Sequence, residues 1–123
     1  MAKILLVEDN DSHRKMLREF LEIRKHEIIE AVDGAEGYQL YKQTNCDLVI
    51  TDIYMPNKDG NDLIEMLKAE FPSVKIIAIS GRGFMKGEHV LHVAEYLGAE
   101  HTVKKPLKIT ELLKVVDDLL AGS

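Results

Sequence analysis

The sequence predicts a doubly wound α/β sandwich, in which helices cover both faces of a five-stranded parallel sheet. Three observations lead to this fold class. Five short apolar runs alternate with five helix-length segments along the 123 residues. Three of these runs are apolar over a stretch long enough for a strand that is covered on both faces, as strands of parallel sheets are. No Pro-, Gly- or Ser-rich linker divides the chain, so we expect one domain over residues 1–123.

The predicted strands are short and rich in Ile and Val, which are typical strand formers. They cover residues 3–7 (KILLV), 27–31 (EIIEA), 47–51 (DLVIT), 74–79 (VKIIAI) and, more weakly, 101–104 (HTVK). Strands that alternate with helices form parallel βαβ units, whose crossovers are right-handed. The arrangement that satisfies both rules is a three-layer sandwich.

The predicted helices carry apolar side chains at helical spacing, so that each has one face for the sheet. They cover residues 11–24, 35–43, 62–70, 88–97 and 110–120. Thr110 is expected to be the N-cap residue of the last helix, because a Thr hydroxyl can accept a hydrogen bond from a free helical N–H.

Composition excludes several classes of function. The formal net charge of −5, with a pI near 5.5, argues against a nucleic-acid binder and against binding to anionic lipid. The single cysteine, Cys46, cannot form an intramolecular disulfide. No apolar run approaches the length of a membrane span, and the N-terminus lacks the pattern of a signal peptide. We therefore expect a cytoplasmic protein without nucleic-acid or membrane partners.

Polar side chains with complementary chemistry follow four of the predicted strands. Glu8 and Asp9 follow the first strand, Asp52 the third, Ser80 the fourth and Lys105 the fifth. Each alone also fits an ordinary role as a cap, turn or surface residue. In this fold, however, the carboxyl ends of the strands meet at one edge of the sheet. Crowded carboxylates repel each other unless a cation lies among them, and oxygen ligands suit Mg²⁺.

Four motifs carry a resemblance to a known family. They are LLVEDN (5–10), LVITDIYMPNKDG (48–60), IIAIS (76–80) and KP (105–106). Together, in this order and spacing, they resemble the response-regulator receiver domain of two-component signalling. The resemblance covers nearly the whole chain and implies a flavodoxin-like (βα)5 fold.

The resemblance also implies which residues hold a metal ion and which one reacts. Glu8 and Asp9 correspond to the acidic pair that holds Mg²⁺, and Asp52 corresponds to the phosphoacceptor, which is itself a metal ligand. The backbone carbonyl of Tyr54 would be a further ligand.

A second group of residues corresponds to the part of a receiver that senses the phosphoryl group. Ser80 matches the switch hydroxyl, and Lys105 matches the lysine that contacts the phosphoryl group through a characteristically cis Lys–Pro bond. Most receivers have an aromatic residue three positions before that lysine, where this chain has Thr102. Thr102 and Phe84 are assigned to the switch surface, which consists of the loop after the fourth strand, the fourth helix and the fifth strand. Phe84 packing into the domain is the alternative.

The predicted function is that of a stand-alone response regulator without an output domain. It would receive a phosphoryl group from a histidine kinase or a histidine phosphotransfer protein and pass the signal to a downstream protein that the sequence does not identify. It would be a switch that catalyses only its own phosphorylation and dephosphorylation.

Two other classes of protein share part of this arrangement of polar residues after strands. A phosphatase of the haloacid-dehalogenase type would require a second aspartate two residues after the nucleophile, where Tyr54 stands. A flavodoxin-like cofactor binder would require a phosphate-cradling Gly/Ser/Thr loop after the first strand, where the sequence reads EDND.

Overall fold

The computed structural model describes residues 2–53, 55, 60–80 and 94–122, with residue 80 described by its backbone alone. The elements follow one another as β1 (Lys3–Val7), α1 (Asp11–Ile23), β2 (Glu27–Ala31), α2 (Gly34–Thr44), β3 (Leu48–Asp52), α3 (Gly60–Glu70), β4 (Ile76–Ser80), α4 (the helical residues 94–97), β5 (His101–Lys104) and α5 (Ile109–Ala121).

The five strands form one parallel sheet in the order β2-β1-β3-β4-β5. The predicted doubly wound, flavodoxin-like fold is therefore confirmed. The chain proceeds from β1 to β2 on one side and then continues on the other side of β1 with β3. The connections that leave the carboxyl ends of β1 and β3 consequently run in opposite directions, which makes this point of the sheet a topological switch point. Ligands bind at such points in sheets of this kind.

The core consists of two apolar layers, one on each face of the sheet. Successive side chains of a strand point to opposite faces, so Leu5 and Val7 belong to one layer while Ile4 and Leu6 belong to the other. The first layer contains buried side chains of α2, α3 and α4, and the second contains those of α1 and α5. All five residues of β3 are buried, which explains its continuous apolar run.

The bounds of β1, β2 and β5 agree with the predicted ones, and those of the other fully described elements differ by one or two residues. β3 begins at Leu48 because the Asp47 side chain instead accepts a hydrogen bond from the Lys3 N–H at 2.9 Å. β4 begins at Ile76 because Val74 forms a turn, in which its N–H donates to the Phe71 carbonyl at 2.9 Å. The predicted fourth helix agrees with the structure at residues 94–97, and its first part lies outside the described residues.

The expectation that Thr110 caps the last helix was wrong. α5 begins one residue earlier, at Ile109, and its N-cap residue is Lys108, which makes no side-chain capping hydrogen bond. Ile109 packs against the apolar layer shared with α1. Full burial of a large aliphatic side chain is worth about 1.5–3 kcal/mol, so the partial burial of Ile109 is comparable to the capping bond of about 1 kcal/mol that Thr110 would supply.

No helix within the described part of the chain is long and apolar enough to cross a membrane.

Candidate functional site

Three carboxylates meet at the switch point between β1 and β3. Val7 pairs with Thr51 across the two strands, so the next residues, Glu8 and Asp52, come to lie side by side. Ligand oxygens of Glu8, Asp9 and Asp52 all lie within 4.8 Å of one another. Glu8 and Asp52 are only 2% and 6% exposed, whereas Asp9 is exposed. The structure therefore brings together the three acidic residues that the sequence singled out.

Lys105 supplies a positive charge to this group. Its Nζ donates a hydrogen bond to Asp52 Oδ2 at 2.9 Å and lies 3.8 Å from Glu8 Oε1. The Lys105–Pro106 peptide bond is cis, as the resemblance implied. One ammonium group thus lies between two buried carboxylates, so part of their negative charge is left without compensation.

The first turn of α1 holds Glu8 by all three of its oxygen atoms. His13 Nδ1 lies 2.8 Å from Glu8 Oε1, and the Asn10 N–H donates to Glu8 Oε2 at 3.1 Å. Arg14 Nη1 donates to the Glu8 backbone carbonyl at 2.7 Å. Burial raises the pKa of Glu8, and the nearby charge of Asp52 raises it further. The first cause is the cost of burying the Glu8 charge, and the second is its repulsion from the neighbouring Asp52.

Sequence reasoning missed the contact between His13 and Glu8. Asn10 is the N-cap residue of α1, and its side chain accepts a hydrogen bond from the His13 N–H at 2.9 Å. This makes His13 the third residue of the helix, the position whose side chain reaches back toward the N-cap and the preceding strand end. Its spacing from the cap was the signal that could have revealed the contact.

The backbone at Asp52 is held closely by the start of α3. A Cβ atom on Gly60 would lie only 2.2 Å from the Asp52 carbonyl oxygen and 2.7 Å from the Ile53 Cα. The Gly60 N–H donates to the Ile53 carbonyl at 2.8 Å. Thr51 Oγ1 donates to the Asp52 carbonyl at 2.9 Å. Only glycine allows α3 to begin this close to the end of β3, and the close approach fixes the backbone that carries the Asp52 side chain.

The structure describes only some of the other residues that the sequence assigned to the site and to the switch surface. Ser80 is the last residue of β4 and pairs with Lys104 of β5, which puts its backbone at the same edge of the sheet. The assignments of Tyr54 and Phe84, and that of the Ser80 side chain, lie outside the described residues. Thr102 is half-buried, and its Oγ1 donates to Glu95 Oε2 at 3.3 Å, which connects β5 to α4.

The donor set of Glu8, Asp9 and Asp52 fits a hard divalent cation. It consists of carboxylate oxygens alone, with one exposed member through which the site is open to solvent. Mg²⁺ is bound by one or two carboxylates while it retains several waters, so an oxygen-lined and partly open site suits it. A cation there would also relieve the repulsion that raises the pKa of Glu8.

Fold and site together define a flavodoxin-like doubly wound domain with an acidic, lysine-containing site at its switch point. The chain belongs to the response regulator receiver domain family, whose model matches residues 4–117.

Similar proteins agree with this assignment. The chain is 33% identical to the chemotaxis protein CheY of Halobacterium salinarum, across 99% of this chain and 100% of that protein. It is 30% identical to the protein PilH of Pseudomonas aeruginosa, with the same coverage of 99% and 100%. Among solved structures, the receiver domain of NtrX from Brucella abortus superposes with a TM-score of 0.90 at 27% identity, covering 98% of this chain and 99% of that one. The protein is accordingly a response-regulator receiver.

Proposed function

We propose that this protein accepts a phosphoryl group on Asp52 in a Mg²⁺-dependent reaction and thereby acts as a switch in two-component signalling. The observation that carries the proposal is the contact of 2.9 Å between Lys105 Nζ and Asp52 Oδ2, next to Glu8 and Asp9. A buried carboxylate beside a fixed cation, with further acidic oxygens within reach, has the parts that phosphoryl transfer requires.

Asp52 acts as a carboxylate nucleophile. One of its oxygens forms a bond to phosphorus while the bond from phosphorus to the imidazole nitrogen of the donor breaks, and the departing nitrogen keeps the electron pair. The product is an acyl phosphate on Asp52. Lys105, which bonds to Asp52 Oδ2 beforehand, can then bond to an oxygen of the new phosphoryl group without leaving the site.

Glu8, Asp9 and Asp52 would hold the Mg²⁺, together with the backbone carbonyl of Tyr54 by resemblance. When bound, the cation would neutralise negative charge on the phosphoryl oxygens. Asp9 is the exposed member of the three, so it lies where an incoming phosphodonor reaches the site.

The new charge on Asp52 would be the signal that the rest of the domain senses. Ser80 would move toward the phosphoryl group, and Thr102 and Phe84 would respond on the switch surface. Thr102 is suited to this because its hydrogen bond to Glu95 connects β5 with α4.

The donor would be a histidine kinase or a histidine phosphotransfer protein, and the recipient of the signal a downstream protein in the cytoplasm. We propose a stand-alone regulator that uses neither nucleic acid nor a membrane. It would catalyse only the phosphorylation and dephosphorylation of its own Asp52.

The proposal is tested by incubating the protein with acetyl phosphate and Mg²⁺ and measuring the intact mass. We expect one added phosphoryl group on the parent and none on Asp52→Asn. Asp47→Asn is the matched control, because Asp47 is an exposed aspartate at the opposite edge of the sheet, one residue before β3. Labelling that persists in Asp52→Asn would show that another residue is the acceptor.

A further inference from the structure

The side chain of Glu8 is contacted by groups at the start of α1 on one side and by Lys105 on the other. His13 Nδ1 lies 2.8 Å from Oε1, and the Asn10 N–H lies 3.1 Å from Oε2. Lys105 Nζ approaches Oε1 from the side of Asp52, at 3.8 Å. Oε1 therefore lies between His13 on one side and the lysine of the reactive site on the other.

His13 is itself held in place, so it can fix what it contacts. Its backbone N–H donates to Asn10 Oδ1 at 2.9 Å, and Asn10 in turn donates its own N–H to Glu8. Glu8, Asn10 and His13 thus form a closed set of three hydrogen bonds. The set connects the end of β1 to the start of α1.

Helix capping and core packing do not account for the His13 ring. The cap of α1 needs only the Asn10 side chain and the His13 backbone. The ring remains 22% exposed, and His13 is not among the residues that form the two apolar layers. What the ring does is contact a carboxylate of the proposed metal site. A glutamate has one more rotatable bond than an aspartate, so its carboxylate needs more restraint to stay in a metal site.

We propose that His13 is a positioning residue for the metal site, which holds the Glu8 carboxylate where it faces Asp9 and Asp52. This rests on the proposed function, since it assumes that these carboxylates bind Mg²⁺. Partners that orient a metal-site ligand typically change metal affinity by roughly 10- to 100-fold when they are lost. Because the proposed Mg²⁺ site is shared by three carboxylates, we expect the lower end of that range, about tenfold.

The test is a double-mutant cycle on Mg²⁺ affinity, measured by NMR titration of backbone amides without any phosphodonor. His13→Leu removes the ring N–H and replaces the imidazole with an apolar side chain of similar size. This variant should bind Mg²⁺ about tenfold more weakly than the parent. His13→Gln, whose amide can still donate to Glu8, should restore most of the affinity. In a Glu8→Ala background, His13→Leu should have no further effect, because its target is gone. Circular dichroism checks the fold of each variant.

The outcomes separate this inference from the proposed function. Asp9→Ala should abolish most Mg²⁺ binding, and a parent-like affinity there would overturn both proposals. Loss of binding in Asp9→Ala, together with parent-like affinity in His13→Leu, would overturn the role of His13 alone. An equal effect of His13→Leu in the parent and in Glu8→Ala would overturn it too, since it would mean that His13 does not act through Glu8. Should His13→Leu not fold, His13→Ser takes its place, because its hydroxyl lies one bond short of the position of Nδ1 and cannot reach Glu8, while the side chain remains polar.

Discussion

Lys105 and Lys104 are neighbours in sequence but differ in what their side chains can reach. Lys105 Nζ contacts Asp52 Oδ2 at 2.9 Å, and its side chain is 24% exposed. Lys104 is the last residue of β5 and is exposed. Side chains of successive residues in an extended chain point in opposite directions, so the two ammonium groups cannot occupy the same place.

We predict that Lys105→Ala slows labelling of Asp52 by acetyl phosphate at least tenfold, on the order of the effect of losing one donor at a charge-stabilising site. Lys104→Ala should be labelled like the parent, because removal of an exposed charge changes little. Labelling time courses followed by intact-mass measurement compare the two variants. If both slowed equally, general loss of positive charge near the site would be the cause, and the specific contact of Lys105 would not.

At the scale of elements, α1 is joined to β2 by a network of ion pairs around Glu30. Arg14 Nε donates to Glu30 Oε1 at 2.8 Å, and Arg18 also contacts this carboxylate. The same Arg14 side chain donates to the Glu8 backbone carbonyl at 2.7 Å. The network therefore connects β2 and α1 with the end of β1, where the candidate site begins.

This network predicts a pH-dependent contribution to stability. The hydrogen bond from Arg14 lowers the pKa of Glu30 below its ordinary value of 4.5, and Arg18 lowers it further. A carboxyl group whose pKa is lowered on folding stabilises the protein above its unfolded pKa, and this contribution is lost as the pH falls through the folded pKa. Glu30→Gln should therefore have about 1 kcal/mol less unfolding free energy than the parent at neutral pH, and this difference should shrink as the pH falls through the lowered pKa of Glu30.

Urea unfolding of the parent and of Glu30→Gln across this pH range measures the difference. Glu19→Gln, which changes an exposed carboxylate of α1, is the control and should differ little from the parent at any pH. A difference between Glu30→Gln and the parent that stayed constant down to the acid end would contradict an electrostatic origin.

At the scale of the whole molecule, the candidate metal site exists only when the sheet is formed. Glu8 and Asp9 are more than forty positions from Asp52 in the chain, and the pairing of β1 with β3 brings them within ligand distance. An unfolded chain has no such cluster. Any cation bound there consequently stabilises the folded state relative to the unfolded one.

We predict that Mg²⁺ raises the thermal unfolding temperature of the parent and that a chelator reverses the increase. At a concentration 100 times its Kd, the cation should add about 2.7 kcal/mol to the free energy of unfolding. Asp9→Ala should show little of this increase, which separates binding at the site from a general salt effect. Differential scanning calorimetry with Mg²⁺, and with Na⁺ at matched ionic strength, provides the measurement. An equal increase in the parent and in Asp9→Ala would mean that the ion acts elsewhere.

The class of fold and the charged residues of the site can be predicted from the amino-acid sequence alone. Apolar runs of strand length alternating with helical segments leave few topologies, and in a parallel sheet the residues that follow the strands must share one edge. Glu8, Asp9, Asp52 and Lys105 can be singled out from the sequence for that reason. Their position in the motifs then linked them to the receiver family.

The side chains that contact these residues, and the first residues of some elements, depend on packing between segments that are distant in the chain. The contact between His13 and Glu8 depends on how α1 leaves β1, and the start of α5 at Ile109 depends on packing against the sheet. Gly60 likewise shows its role only when α3 comes against the Asp52 carbonyl. Local sequence preferences are worth about 1 kcal/mol or less, so contacts between distant segments, which the sequence does not display, outweigh them.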